Sequence, residues 1–530
     1  MQKVLVSDPI SEIGLQKLLE DENIQVDVKT DLSKEELIKI IGDYDGLLVR
    51  SQTKVTKDIL ESAKKLRVIG RAGVGVDNID VKAATEEGIV VINAPDGNTI
   101  STAEHSFAML MAMARWIPQA HQDLKEGIWN RKKYVGVELN RKTLGIIGMG
   151  RIGSEIAMRA KAFNMRVLGY DPYLTEDRAK QLGITNTTIE ELVKEADFIT
   201  VHTPLTKETR YLIDTNEFTL MKKGVRIVNC ARGGIIKETA LVEALNNGTV
   251  AAAALDVYEE EPPMESPLRS HPLVVTTPHL GASTEEAQLN VAIDVAEEVH
   301  RLLHDEPFRN AVNMPSLSQE ILNHVRPFVN LAERIGTLIS NVILGPIEKV
   351  EVSIAGDLAE KEIDILSRTV LKGILSQHLG SVGQVNDVNA PVLAKSRGID
   401  VVESRSSKSH GFTNLITVKV KTNQDEKYIS GTVLNGHGAR MVNFNGFTVD
   451  LIPEGNIIIM DHIDQPGIIG KFGTILGNAG INIATMQVGR NEVGGKAIAF
   501  LGIDYPAKEE VIEDLKEVDG IQNIFQVNLS

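Results

Sequence analysis

The sequence predicts an α/β fold of two Rossmann-like, doubly wound lobes, followed by an α+β intervening module and a small ferredoxin-like module. Three observations predict it. Apolar strand-like runs alternate with helical runs through roughly the first 300 residues, the signature of parallel sheets covered on both faces. One of these strands runs directly into a glycine-rich turn, Gly148-Met149-Gly150-Arg151-Ile152-Gly153. The chain is 530 residues long, enough for roughly three to four domains and more than one catalytic unit needs.

In the first lobe the buried-strand runs are Val4-Leu5-Val6, Leu47-Leu48-Val49, Val68-Ile69-Gly70 and Ile89-Val90-Val91-Ile92, with a helix over Lys34 to Ile41. From Asn98, Ser101 and Thr102 cap an amphipathic pattern, Phe107, Leu110, Met111 and Ala114, that predicts a long helix leading into a second lobe. Its strands are Thr143 to Ile147, Arg166 to Tyr170, Phe198 to Val201, Val225 to Asn229, Ala251 to Val257 and Leu273 to Thr277. After Ser283 another helical pattern, Ala287, Leu289, Val291, Val295, Val299, Leu302 and Leu303, runs on for about five turns. Two long crossing helices imply a split domain. Residues 1–97 and 285–315 are expected to form a substrate-binding lobe, interrupted by a dinucleotide-binding lobe at 98–284.

Asn313-Met314-Pro315-Ser316-Leu317-Ser318 marks the next boundary. Residues 316–452 form the intervening module, with strands at Val350 to Ile354 and Leu415 to Val420 and no catalytic signature. Residues 453–530 read as β-α-β-β-α-β: strand Asn456 to Met460, a helix from Pro466, strands Ile481 to Val488 and Lys496 to Ile503 around the Gly494-Gly495 turn, helix Lys508 to Glu517, strand Asn523 to Leu529.

Composition narrows the function. Hydrophobic residues at 42% and charged residues at 24% exclude a disordered, collagenous or coiled-coil chain. A net charge of −16 disfavours sequence-independent nucleic-acid binding, and an anionic substrate would need a local basic pocket. The one cysteine, Cys230, cannot form an internal disulfide, and no CxxC or Cys/His metal pattern occurs, so a reducing cytoplasm and no metal are expected. The longest apolar run, Phe107 to Ala114, is too short to span a membrane, and Met1 to Pro9 lacks the features of a signal peptide.

The chemistry concentrates in the dinucleotide lobe. Gly148, Gly150 and Gly153 permit a tight turn and close backbone approach, and the following helix offers free N–H groups to a pyrophosphate. Asp171 ends the next strand, 18 residues beyond Gly153, where a carboxylate binds a ribose diol and repels a 2′-phosphate, favouring NAD over NADP. The alternative is a glycine-rich turn with a solvated aspartate. Arg232, Glu261 and His279 each follow a strand of this lobe, so all three open onto one edge. A histidine there can take a hydroxyl proton as hydride leaves, a carboxylate can orient it, and an arginine can clamp a substrate carboxylate. Against this, a lone histidine is often structural, and Glu261 sits in an acidic run, Glu259-Glu260-Glu261, that solvent alone would explain.

Asn229-Cys230-Ala231-Arg232-Gly233-Gly234, Leu255-Asp256-Val257-Tyr258-Glu259-Glu260-Glu261-Pro262-Pro263 and Thr277-Pro278-His279-Leu280-Gly281-Ala282-Ser283-Thr284 together resemble the D-isomer-specific 2-hydroxyacid dehydrogenases. With Gly70-Arg71-Ala72-Gly73-Val74-Gly75-Val76-Asp77-Asn78, the order of parts is similar to the long-form branch that acts on 3-phospho-D-glycerate, over essentially the whole chain. The resemblance implies that Arg232 binds substrate, His279 is the acid/base and Glu261 its partner. It implies NAD contacts at Arg151, Ile152, Asp171, Cys230, Ala231, Arg232, Asp256, His279, Leu280, Gly281, Ala282 and Val74. Cys230 reads as a small buried residue beside the cofactor rather than a reactive thiol.

Arg50 and Arg71 end strands of the first lobe and can face the cleft, with Gly73-Val74-Gly75 as an anion-binding backbone nest for a substrate phosphate; surface arginines paired with nearby acids are the plainer reading. In relatives a basic residue crosses a dimer contact, and Arg131-Lys132-Lys133 is the matching cluster. The terminal module resembles an ACT domain, which implies an amino-acid effector such as L-serine, held by His462, Asp464 and Asn482. The resemblance also implies dimers paired into tetramers and a role in L-serine biosynthesis. Other 2-hydroxyacid dehydrogenases and NAD-sensing corepressor-like proteins remain alternatives. A formate dehydrogenase fits less well, because such relatives carry Gln where Glu261 stands.

Overall fold

The structure is a computed structural model that describes residues 1–315, 319–360, 364–379, 385–406, 409 and 411–529. Strands β1 (Gln2–Val6), β2 (Ile24–Val28), β3 (Gly46–Val49), β4 (Val68–Arg71) and β5 (Val90–Asn93) form a parallel sheet in the order β2-β1-β3-β4-β5. The central runs are apolar without alternation because helices cover both faces, and Val4 to Val6 and Leu47 to Val49 are wholly buried. The edge strand β2 escapes the sequence reading because Ile24-Gln25-Val26-Asp27-Val28 mixes polar residues into a partly solvated strand.

Helix α1 (Thr99–Ala114) carries the chain into the second lobe. It begins ahead of the expected cap: Ser101 and Thr102 lie inside its first turn, and the Ser101 hydroxyl donates to the Gly281 carbonyl at 3.0 Å instead. Strands β6 (Thr143–Ile147), β7 (Arg166–Tyr170), β8 (Thr185–Asn186), β9 (Phe198–Val201), β10 (Val225–Asn229), β11 (Val250–Leu255) and β12 (Val274–Thr276) form a second parallel sheet, β12-β11-β10-β9-β6-β7-β8. Chain order reverses between β6 and β9, which opens a crevice over their carboxyl ends. Helix α2 (Arg151–Ala162) follows β6 directly.

Helix α3 (Glu285–Leu303), capped by the Thr284 hydroxyl, returns to the first lobe and buries Val291, Val295 and Val299 against its sheet. Val312 N–H then donates to the Val91 carbonyl, so the segment before Asn313 stays with that lobe. A Cβ at Gly97 would lie 2.8 Å from the Val291 nitrogen, so the two crossings touch.

Helices α4 (Gln319–Val342) and α5 (Asp364–Leu379) belong to the third unit. Its sheet comprises β13 (Ile347–Gly356), β14 (Asp400–Ser406), β15 (Asn414–Thr422), β16 (Glu426–Leu434), β17 (Gly438–Phe444) and β18 (Phe447–Leu451), in the order β14-β13-β15-β16-β17-β18. The expected boundary residues Ser316 to Ser318 lie outside the described residues.

The last unit is β19 (Asn456–Ile463), α6 (Ile468–Asn478), β20 (Ile483–Arg490), β21 (Lys496–Ile503), α7 (Glu509–Lys516) and β22 (Ile521–Asn528), with sheet order β20-β21-β19-β22. One face, Ile458, Met460, Ala499 and Leu501, packs on its own helices. The other, Ile457, Ile459, Ile498 and Phe500, shares one core with Leu331 and Ile335 of α4 and Phe444 of β17. The two C-terminal units are therefore fused through a common core, which explains why Ile457 to Met460 is apolar without alternation. Among the described residues no helix is long and apolar enough to cross a membrane.

Candidate active site

The glycine turn is shaped by sterics at two positions. Gly148 has φ of +96°, and a Cβ there would lie 2.4 Å from the His202 carbonyl oxygen; a Cβ at Gly153 would lie 2.1 Å from the Gly148 oxygen, so α2 could not sit this close to β6. At Gly150 nothing lies within 4 Å of an added Cβ, which leaves open space over the first turn of α2 for a ligand. At the end of β7, Asp171 accepts N–H bonds from Met149 at 2.9 Å and Tyr173 at 2.8 Å, fixing its carboxylate beside the turn. These features fit a dinucleotide: backbone N–H groups at α2 for the pyrophosphate and Asp171 for the ribose. Arg151 turns to Asp96, Nε to Oδ1 at 2.6 Å.

A cleft of about 480 Å³ is lined by Arg71, Val74 and Gly75 of the first lobe and by Ile152, Cys230, Ala231, Arg232, Asp256, His279, Gly281 and Ala282 of the second. Leu280 is not in this lining and is 39% exposed. His279, in left-handed backbone conformation (φ +55°), places Nδ1 2.8 Å from Glu261 Oε2. Burial pushes the Glu261 carboxyl up, but the hydrogen bond and charge of His279 outweigh it and hold the carboxyl below its usual range. Glu261 is therefore not a solvated end of an acidic run: its other oxygen accepts the Tyr258 N–H at 3.2 Å.

Asp256 is wholly buried and spends both oxygens on the turn that carries His279, accepting from Leu280 N–H at 2.7 Å, Gly281 N–H at 2.8 Å and the Thr277 hydroxyl at 2.6 Å. His105 Nε2 lies 3.2 Å from it. Asp256 borders the cleft but acts on it through that turn, to which its carboxylate is committed. Burial pushes the Cys230 thiol up, which suits a packing residue.

Three arginines gather across the cleft. Arg232 Nη1 donates to the Ala231 carbonyl at 2.7 Å and its Nε pairs with Asp77 of the first lobe at 3.1 Å. Arg71 Nε is buried without a partner, and burial together with the Arg232 charge lowers its pKa to about 10. Arg50 adds to that repulsion and reaches the Pro9 carbonyl only at 3.4 Å. Gly73 and Gly75 let two of the guanidiniums lie against the loop, since a Cβ would meet Arg71 Nη1 at 1.8 Å and Arg232 Nη2 at 1.9 Å. The expected backbone nest is incomplete, because the Gly73 N–H is donated to the Arg71 carbonyl.

The chain matches the model of the D-isomer specific 2-hydroxyacid dehydrogenase NAD binding domain over residues 107–281, of the D-3-phosphoglycerate dehydrogenase intervening domain over 324–445, and of the ACT domain over 456–520. It is 48% identical over 529 residues to a D-3-phosphoglycerate dehydrogenase of Bacillus subtilis, and 48% identical over 530 residues to one of Methanocaldococcus jannaschii, in both cases over 100% of each chain. The chain belongs to the D-3-phosphoglycerate dehydrogenase family.

As a member of that family it is an NAD-dependent oxidoreductase. Its dehydrogenase part is similar to a solved Aquifex aeolicus D-lactate dehydrogenase complexed with NAD and lactic acid (30% identity, TM-score 0.54, covering 59% of this chain and 100% of that one). A solved Staphylococcus aureus NAD-dependent formate dehydrogenase in complex with NAD is similar over 60% of this chain and 100% of its own, at 33% identity and TM-score 0.54.

His202, Thr203 and Leu205 also line the cleft and escape the sequence reading, as does Asp77. His202 follows β9 directly, so the strand-end rule that singles out Arg232 and His279 reaches it too. Asp77 had no such signal, being recognisable only through its partner in the other lobe.

In the ACT unit the three expected effector residues stand apart. His462 is buried with Nε2 unpartnered, Asp464 pairs with Arg490 at 2.7 Å, and Asn482 donates to Asp504 at 3.1 Å. Register separates them: His462 pairs with Ala497, whereas Asn482 lies just before Ile483, which pairs with Ile503. Six residues of strand, roughly 20 Å, divide the two ends. The three residues do not form one pocket within a chain.

Proposed function

We propose that this chain oxidises the C2 hydroxyl of 3-phospho-D-glycerate to 3-phosphohydroxypyruvate, the first step of L-serine biosynthesis, with His279, Glu261 and Arg232 as the catalytic set. The observation that carries the site assignment is the His279–Glu261 pair at 2.8 Å, facing the arginines on the cleft edge of the nucleotide lobe. NAD, when bound, accepts the hydride from C2. His279 takes the hydroxyl proton at Nε2, since Nδ1 is held by Glu261. Arg232 exchanges Asp77 for the substrate carboxylate, a charge-assisted pairing that orients the substrate in the cleft. Arg50 and Arg71, short of partners in an acidic protein, receive the phosphate. Closure of the lobes about the 97/98 and 284/285 crossings excludes water from the cleft.

The name of the relatives and the ACT match of this chain support L-serine as the effector of that unit. The register supports a site completed by a second chain, since Asn482 and His462 stand at opposite ends of the sheet. Exposed Ile117, Leu124, Ile128 and Trp129 beside Arg131-Lys132-Lys133 support a homo-oligomer, dimers or tetramers, built on the nucleotide lobe. A buried free cysteine supports a cytoplasmic setting. NADH production from 3-phospho-D-glycerate and NAD, compared with D-lactate and D-glycerate and repeated with L-serine, tests the reading. Faster turnover of an unphosphorylated acid would overturn the substrate assignment.

A further inference from the structure

Asp21, His300 and His304 meet at the amino-terminal edge of the first sheet, the edge opposite Arg50 and Arg71. His300 lies in the last turn of α3 and His304 immediately follows the helix, one turn on, so both rings project from one face toward Asp21. His300 Nε2 is 3.0 Å and His304 Nε2 2.5 Å from the same oxygen, Asp21 Oδ2.

We propose that Asp21, His300 and His304 form a binding site for a zinc-class divalent cation, a structural clasp between α3 and the turn before β2.

The donor set is two imidazole nitrogens and one carboxylate oxygen, a borderline-soft set that zinc favours, with a fourth position left for water. Ligands about 2.0–2.2 Å from a tetrahedral ion lie roughly 3.4 Å from one another. The three ligand atoms here all lie within 4.8 Å of one another, so adjustments on the order of an ångström seat an ion. The carboxylate is already braced: the Asn23 N–H donates to Oδ1 at 2.8 Å, the outer hydrogen bond that ligating carboxylates keep.

The site also stands at the C-terminal end of a 19-residue helix, where the backbone dipole favours positive charge. The nearby Lys17 ammonium opposes a cation, and the Asp21 carboxylate offsets it. The only other such cluster among the described residues, His105, Cys230 and Asp256, holds a protonated thiol and a carboxylate committed to the His279 turn.

Metal-free full-length protein, titrated with Zn²⁺ and with Co²⁺, tests the clasp. One ion per chain by elemental analysis, visible ligand-field bands with Co²⁺, and a zinc-dependent rise in Tm of about 3–6 °C are expected. All three should disappear in His304→Gln and in Asp21→Asn. Either variant lowers the metal-free Tm by losing hydrogen bonds, so the zinc-dependent shift is the quantity that decides. Wild-type protein that takes up no ion, or an ion and Tm shift that persist in both variants, would overturn the proposal.

Discussion

Asp77 Oδ2 lies 3.1 Å from Arg232 Nε, joining the first lobe to the second across the mouth of the cleft. Asp77 is 71% exposed, so the pair contributes no more than about 1 kcal/mol. It nevertheless occupies the guanidinium proposed to hold the substrate carboxylate. Asp77→Asn should lower KM for the acid by about two- to fivefold with kcat nearly unchanged. An unchanged or raised KM in steady-state kinetics would show that Asp77 does not compete.

The His279–Glu261 hydrogen bond predicts a larger effect. His279→Ala and Arg232→Ala should each reduce kcat/KM by at least about a hundredfold, because one removes the proposed proton acceptor and the other the proposed carboxylate clamp. Glu261→Gln keeps the shape and removes the charge, so it should fall between wild type and His279→Ala. Near-normal turnover in the two alanine variants would remove the assignment.

Gly150 and Gly153 separate binding from folding. Gly150→Ala meets nothing within 4 Å, so Tm should hold while KM for NAD rises about tenfold or more through the blocked approach to α2. Gly153→Ala drives a Cβ to 2.1 Å from the Gly148 oxygen and should destabilise the protein by about 1–3 kcal/mol. Equal effects on Tm and on KM in both variants would contradict this division.

Arg71 has a buried Nε without a partner, and Arg50 and Arg232 repel it. An anion between them relieves that strain, so inorganic sulfate or phosphate should raise the wild-type Tm by several degrees, and the rise should shrink in Arg71→Ala. Arg50→Ala should raise KM for a phosphorylated substrate and leave an unphosphorylated one unaffected. An identical sulfate response in Arg71→Ala would argue against an anion site.

His202 gives stability a pH dependence of known sign. Desolvation lowers its pKa from 6.5 to about 3, so between those values the unfolded chain holds a proton that the folded one refuses. Stability therefore rises with pH across that window by up to ~1.4 kcal/mol per unit from this group, and levels off above 6.5. Urea unfolding from pH 5 to 7 should show a shallower slope in His202→Gln. An equal slope in the variant would assign the pH dependence elsewhere.

By itself the sequence determined the parallel sheets, because wholly buried strands such as Leu47 to Val49 are apolar at every position, and it determined the nucleotide turn, because glycine spacing is a steric requirement carried in local sequence. It also brought out Arg232, Glu261 and His279, since residues after parallel strands share one edge. Only the tertiary structure decided that Asp77 meets Arg232, that Asp256 works through the His279 turn, and that Ile457 and Phe500 share a core with Leu331. It alone separated Asn482 from His462, through strand register, and joined Asp21 to His300 and His304. Those relations depend on where separate segments pack, and a contact between elements that are not neighbours in sequence leaves no periodic trace along the chain.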